Sequence, residues 1–204
     1  MLIFVRSKFS VNKPTLFNKE EKSMNIITPL FDKEAIARFA ESTFNWRRLV
    51  AEELNYAGPV LWRIEEGTIY HELDCGIHDD EFMFNKGLYV FWAPRLVPES
   101  KGKDPKVQKE ILVKLKKKFN LPEHHLSSFG KFPILLALVS GYYTYAEQQL
   151  SLKNDYARTD TILDQSRGRI NINCSDVTGR YETWRWGDCP KPNIGCFALA
   201  IEKM

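Results

Sequence analysis

Side chains able to bind metal ions or transfer protons are concentrated in one stretch of the chain, between Tyr70 and Phe82. The stretch holds His71, Glu72, Asp74, Cys75, His78, Asp79, Asp80 and Glu81. Imidazole, thiolate and carboxylate groups at such density are typical of a divalent-metal site or of an acid–base pair. No specific catalytic motif accompanies them, so the stretch poses a functional question without answering it.

Strand geometry divides this stretch. Successive side chains of a strand point to opposite faces. If residues 69–75 form a strand, His71 lies on the face of Ile69 and Leu73, and the acidic residues lie on the other face. We expect His71 to be a core histidine, which leaves the turn at His78, Asp79, Asp80 and Glu81 as the candidate for a cation. A solvated acidic turn is the alternative interpretation.

A partner for this turn has to come from elsewhere in the fold. His124 and His125 are the only other histidines. The sequence therefore predicts a composite divalent-metal site, and its predicted members are His78, Asp79, Asp80 and His124. Such an ion would activate water for a metal-assisted hydrolase while a carboxylate accepts the proton. The alternative is that both histidines are ordinary surface residues.

The C-terminal part of the chain differs in composition, because arginine replaces lysine as the main cation and aromatic residues are interleaved with it. Arginine offers a planar fork of donors that suits carboxylate or phosphate groups. We predict a surface here that binds a small anionic ligand or a protein partner. Its predicted residues are Tyr156, Arg158, Asp160, Arg180, Trp184 and Arg185. The alternative is that these arginines pair with nearby aspartates and hold loops together.

The sequence lacks the motifs of several other functional classes. No two of the eleven glycines are closer than eight residues, so neither a P-loop nor a dinucleotide-binding Gly-x-Gly-x-x-Gly exists. Outside residues 1–23 the chain has 24 basic and 24 acidic residues, and a neutral domain is not typical of nucleic-acid binding. The eight lysines of residues 101–118 fit the wet face of an amphipathic helix. We therefore expect no nucleic-acid partner.

The expected fold is α+β, with two mainly antiparallel strand meanders flanking a helical segment and an N-terminal helix in front. In both strand regions, glycines spaced eight to eleven residues apart mark the predicted turns between strands. Between them, Val107, Ile111 and Leu115 share one face of a helix that starts after Pro105. A second helix is predicted from Pro133 to about Leu150. No alternating βαβ pattern is present.

The chain has 204 residues and 44% hydrophobic composition, which is enough for one core. We predict a single domain over residues 24–204, preceded by an extension over residues 1–23. The purine-codon run from Lys19 to Lys22 resembles a bacterial ribosome-binding site ahead of Met24, and a short solvated arm is the alternative. No signal peptide or membrane span is evident, so the expected setting is the cytoplasm of a bacterial-type cell, with the cysteines reduced.

The sequence thus favours a soluble domain that binds a small anionic ligand or a protein partner through its C-terminal sheet. A metal-assisted hydrolase is the first alternative. A non-catalytic assembly or inhibitor protein is the second.

Overall fold

The computed structural model describes residues 27–29, 33–65, 87–146, 152, 155–163, 168–174, 181–186 and 190–203. Four α-helices, one short 3-10 helix (Pro98–Ser100) and eight strands lie within these ranges. The helices are α1 (Lys33–Arg38), α2 (Ala40–Leu54), α3 (Pro105–Lys118) and α4 (Phe132–Ala146). The strands are β1 (Ile27–Pro29), β2 (Leu61–Ile64), β3 (Leu88–Leu96), β4 (Tyr156–Leu163), β5 (Gly168–Cys174), β6 (Tyr181–Trp186), β7 (Ile194–Gly195) and β8 (Phe197–Lys203).

The central helix α3 forms where the apolar spacing predicts it. Asp104 caps its first turn, since the carboxylate oxygen Oδ1 accepts a hydrogen bond from the backbone N–H of Val107 at 2.9 Å. Pro105 occupies the first helical position, where a missing N–H costs no hydrogen bond. The helix ends before Asn120, whose φ of 50° is left-handed.

The strands form two four-stranded sheets. The first sheet has the order β1-β2-β3-β8, and the second has the order β6-β5-β4-β7. All pairs are antiparallel except β4 with β7. The α+β prediction with mainly antiparallel strands is therefore confirmed. One feature was not predicted: β8 follows the second strand group in sequence but joins the first sheet beside β3.

Both faces of the first sheet are covered. On β3, Val90 and Trp92 pack in one core together with α4 and part of the second sheet. Phe91 and Ala93, one residue out of phase, pack in another core with α2 and α3. Since the two faces of a strand alternate along its sequence, a strand buried on both sides must be apolar throughout. This explains the continuous hydrophobic run from Leu88 to Ala93.

Candidate functional site

The metal prediction depends largely on the acidic turn and on the histidines beside it. These residues lie outside the described part of the chain. This holds for His71, His78, Asp79 and Asp80, so the composite metal site stays a prediction. Arg180 is outside as well. Arg185 and Trp184 belong to β6, but the described part of the structure does not extend to their side chains. Their ligand-binding role also stays a prediction.

Arg158 is completely buried. Its side chain lies on β4 with 0% exposure, and its Nε donates a hydrogen bond to Gln108 Oε1 on α3 at 2.7 Å. Gln108 is fully buried too, and its Nε2 donates to the carbonyl oxygens of Ser100 and Ile194. A guanidinium enclosed in this way is inaccessible to a ligand that arrives from solvent. The contacts of Arg158 connect β4 to α3.

The thiol beside this arginine is not a nucleophile at neutral pH. Burial raises the pKa of Cys196 to about 12, while the Ser100 hydroxyl and the charge of Arg158 act in the opposite direction. Cys196 is a free cysteine. The Ser100 hydroxyl donates to the Val97 carbonyl at 2.6 Å and accepts from the Cys196 N–H at 2.9 Å. Both side chains therefore serve the fold at the point where β7 leads into β8.

Tyr156 and Asp160 lie on β4 near Arg158. Tyr156 is buried with 6% exposure. Asp160 Oδ2 accepts a hydrogen bond from the backbone N–H of Phe129 at 2.8 Å, and its own N–H donates to the Gly130 carbonyl. These bonds join β4 to the loop that precedes α4. Asp160 thus holds this loop against β4 through backbone hydrogen bonds, while the alternative of arginine–aspartate pairs stays a prediction.

His124 is part of a cluster that the sequence does not reveal. His124, His125 and Glu202 bring ring nitrogens and a carboxylate oxygen within 4.8 Å of one another. His125 Nε2 lies 2.7 Å from Glu202 Oε1, and His124 Nε2 lies 3.1 Å from the same oxygen. The two histidines follow α3, and Glu202 is in β8. Two imidazoles and a carboxylate are side chains found both in divalent-metal sites and in acid–base sites, and the direction of their hydrogen bonds distinguishes the two.

The inner end of this cluster is closed by a tryptophan. Trp46 Nε1 on α2 lies 3.0 Å from His125 Nδ1, and both side chains have 0% exposure. Burial lowers the pKa of His125, and the hydrogen bond to Glu202 offsets part of this effect. His125 is therefore neutral at physiological pH. His124, by contrast, is exposed.

A separate cavity of about 580 Å³ lies along α2. We call it the α2 cavity. Its walls are formed by Ile36 of α1, by Thr43, Arg47, Val50 and Ala51 of α2, by residues 56–61, and by Tyr145 of α4. The volume falls within the range typical of small-molecule sites, which combine apolar walls with a few polar groups. Arg47 is the only charged residue among these lining residues.

Besides Tyr145, three residues of the α2 cavity wall carry polar side-chain groups, namely Thr43, Arg47 and Tyr56. Thr43 is 5% exposed, and its Oγ1 has no hydrogen-bond partner within the described part of the chain. Arg47 follows one helical turn later and is exposed. Burial raises the pKa of Tyr56, helped by nearby Tyr142 and Tyr145. Its hydroxyl therefore stays protonated and can donate a hydrogen bond.

Comparison with protein-family models, with curated proteins and with solved structures finds no match for this chain. Among the described helices, none combines the length and the apolar character that a membrane crossing requires. Sequence reasoning missed both the α2 cavity and the role of Glu202. Thr43, Arg47 and Tyr56 form no motif, and Glu202 is 77 positions from His125, the nearer of its two histidine partners in the sequence.

Proposed function

We propose that the protein binds a small organic anion with an apolar body in the α2 cavity. The observation that carries this proposal concerns Thr43, a residue of the cavity wall, whose hydroxyl is buried without a hydrogen-bond partner among the described residues. A buried polar group left unpaired costs about 1–3 kcal/mol, so such groups are rare in native structures. A bound ligand with an acceptor or donor at this point would satisfy it.

The charge of the ligand follows from Arg47. A guanidinium binds carboxylates through two parallel hydrogen bonds. Neighbouring Arg48 has an acidic partner, since its Nη2 lies 3.5 Å from Glu52 Oε1. No ion pair joins Arg47 to an acidic side chain among the described residues. Among the described lining residues, Arg47 is thus the cation that a ligand in the α2 cavity would meet.

The apolar residues of the α2 cavity wall indicate the character of the uncharged part of the ligand. Val50, Val60 and Leu61 are apolar, and Tyr145 adds an aromatic ring. Burying apolar surface contributes about 25 cal/mol per Å². We therefore expect a hydrophobic or aromatic group next to the anionic one. The ligand class remains the one expected from the sequence, but the binding site lies on α2.

The test uses 4-phenylbutyrate as the probe and isothermal titration calorimetry as the measurement. We expect saturable 1:1 binding that 4-phenylbutanol, which has no charge, does not reproduce. Arg47→Gln should weaken binding about tenfold, as the loss of a charged hydrogen bond predicts. Arg48→Gln is the matched control and should leave the affinity unchanged.

The Thr43→Val substitution tests the contribution of the Thr43 hydroxyl by itself. The two side chains have nearly the same shape, so the change removes only the hydroxyl. It should raise the free energy of unfolding of the free protein by about 1 kcal/mol, because an unpaired hydroxyl is no longer buried. It should also lower the affinity for 4-phenylbutyrate. Equal affinities for the wild type, Thr43→Val and Arg47→Gln would overturn the proposal.

A further inference from the structure

The hydrogen bonds of the histidine cluster have a fixed direction. Trp46 Nε1 carries a hydrogen and can only donate, so His125 Nδ1 must accept. A neutral imidazole has a single ring hydrogen, which then resides on Nε2 of His125. This N–H donates to Glu202 Oε1 over 2.7 Å.

The hydrogen bond between His124 and Glu202 also has a fixed direction. An ionised carboxylate only accepts hydrogen bonds. Glu202 Oε1 lies 3.1 Å from His124 Nε2, so this nitrogen is the donor. The hydrogen of neutral His124 is therefore on Nε2, and its Nδ1 carries the free lone pair. Because His124 is 55% exposed while Glu202 is only 17% exposed, the lone pair belongs to the most accessible member of the cluster.

The direction of these bonds opposes metal binding by all three side chains together. A histidine that binds a metal through Nε2 normally keeps its hydrogen on Nδ1 and donates it to an acceptor. For His125 that hydrogen would point at the indole N–H of Trp46, placing two donors against each other at 3.0 Å. His125 therefore cannot act as a neutral ligand without breaking its contact with Trp46.

We propose that His124 is the proton acceptor of an acid–base site, that Glu202 is its positioning residue, and that Trp46 and His125 fix the orientation of Glu202. The substrate of such a site carries an acidic O–H or N–H group, whose proton passes to His124 Nδ1. A carboxylate behind a histidine holds one tautomer and stabilises the imidazolium that forms. This site is separate from the α2 cavity, and its test does not depend on ligand binding there.

The first experiment measures the tautomers directly, by correlating ring nitrogens and carbon-bound hydrogens in ¹⁵N-labelled full-length protein. His124→Gln and His125→Gln variants assign the signals. We expect both rings to carry hydrogen on Nε2, and equimolar Zn²⁺ to leave the His125 signals unchanged. Hydrogen on Nδ1 of either ring, or a zinc shift shared by both histidines, would refute the proposal.

The second experiment measures the reactivity of His124 with diethyl pyrocarbonate. The Nδ1 lone pair attacks a carbonyl carbon, an N–C bond forms, ethyl carbonate leaves, and the Nε2 proton passes to Glu202. Glu202→Gln should slow the modification of His124 several-fold, read by peptide mass spectrometry, because the amide neither carries the charge nor accepts the proton. Glu123→Gln, a change at the exposed acid beside His124, is the control and should not slow it.

An unchanged rate in Glu202→Gln would overturn the assignment of Glu202 as the positioning residue. Circular dichroism would show whether this variant keeps its fold. If it does not, the tautomers of the wild-type protein still decide the proposal.

Discussion

Arg158 Nε donates a 2.7 Å hydrogen bond to Gln108 Oε1, and neither side chain has any exposed surface. The glutamine thus holds a buried cation on β4 while its amide group also binds two backbone carbonyls. Removing one partner of a buried charged group is costly, because the remaining groups cannot return to water.

We expect Gln108→Leu to lower the free energy of unfolding by about 3 kcal/mol, since a charged hydrogen bond and two amide hydrogen bonds disappear together. Urea denaturation followed by circular dichroism measures the change. Lys106→Gln, an exposed change on the same helix, should stay within about 0.5 kcal/mol of the wild type. A similarly small effect for Gln108→Leu would show that Arg158 does not depend on this bond.

The stability of the protein should fall as the pH is lowered from 7.5 to 5.5, with a contribution from His125. Burial lowers the pKa of His125 below its ordinary value of 6.5. In this pH range the unfolded chain therefore binds a proton that the folded state does not, which favours unfolding.

The control for this pH effect is His125→Gln, because glutamine offers one donor and one acceptor but does not titrate. Its free energy of unfolding should fall less steeply between pH 7.5 and 5.5 than that of the wild type. Identical slopes in the two proteins would contradict the neutral state assigned to His125.

Tyr56 and Gly58 shape one wall of the α2 cavity. A Cβ atom at Gly58 would overlap the hydroxyl and ring of Tyr56. We expect Gly58→Ala to displace the Tyr56 ring and to weaken the binding of 4-phenylbutyrate. In a Tyr56→Ala background the same glycine change should have little further effect, because the two residues are coupled through one contact. Additive effects on the affinity would argue against this wall geometry.

The helices show what the sequence could predict. The start of α3 depends on local features, namely the cap at Asp104 and the proline that follows it. The predicted start of α4 at Pro133 differs from the observed Phe132 by one residue. Helix formation depends on neighbours three or four positions apart, so the signals are contained in the segment itself.

The candidate sites could not be predicted from any single segment of the sequence, because they depend on contacts between distant residues. The contact of Trp46 with His125 joins residues 79 positions apart, and His125 meets Glu202 over 77 positions. A single tryptophan in a helix and a single glutamate near the end of a strand are ordinary features of a sequence. The role of Trp46 follows from the packing of α2 on β3, and that of Glu202 from the docking of β8 beside β3. Side-chain periodicity determines neither.

The pairing of β3 with β8 also has a consequence for how the chain reaches its native state. Leu96 pairs with Phe197, more than 100 positions away, and the register then runs to Leu88 with Lys203. Before β8 docks, the edge of β3 that it covers has unpaired backbone groups within an apolar segment. Exposed edges of this kind associate with other chains. Refolding at high protein concentration therefore carries an aggregation hazard at this edge of β3, which ends once β8 has paired with it.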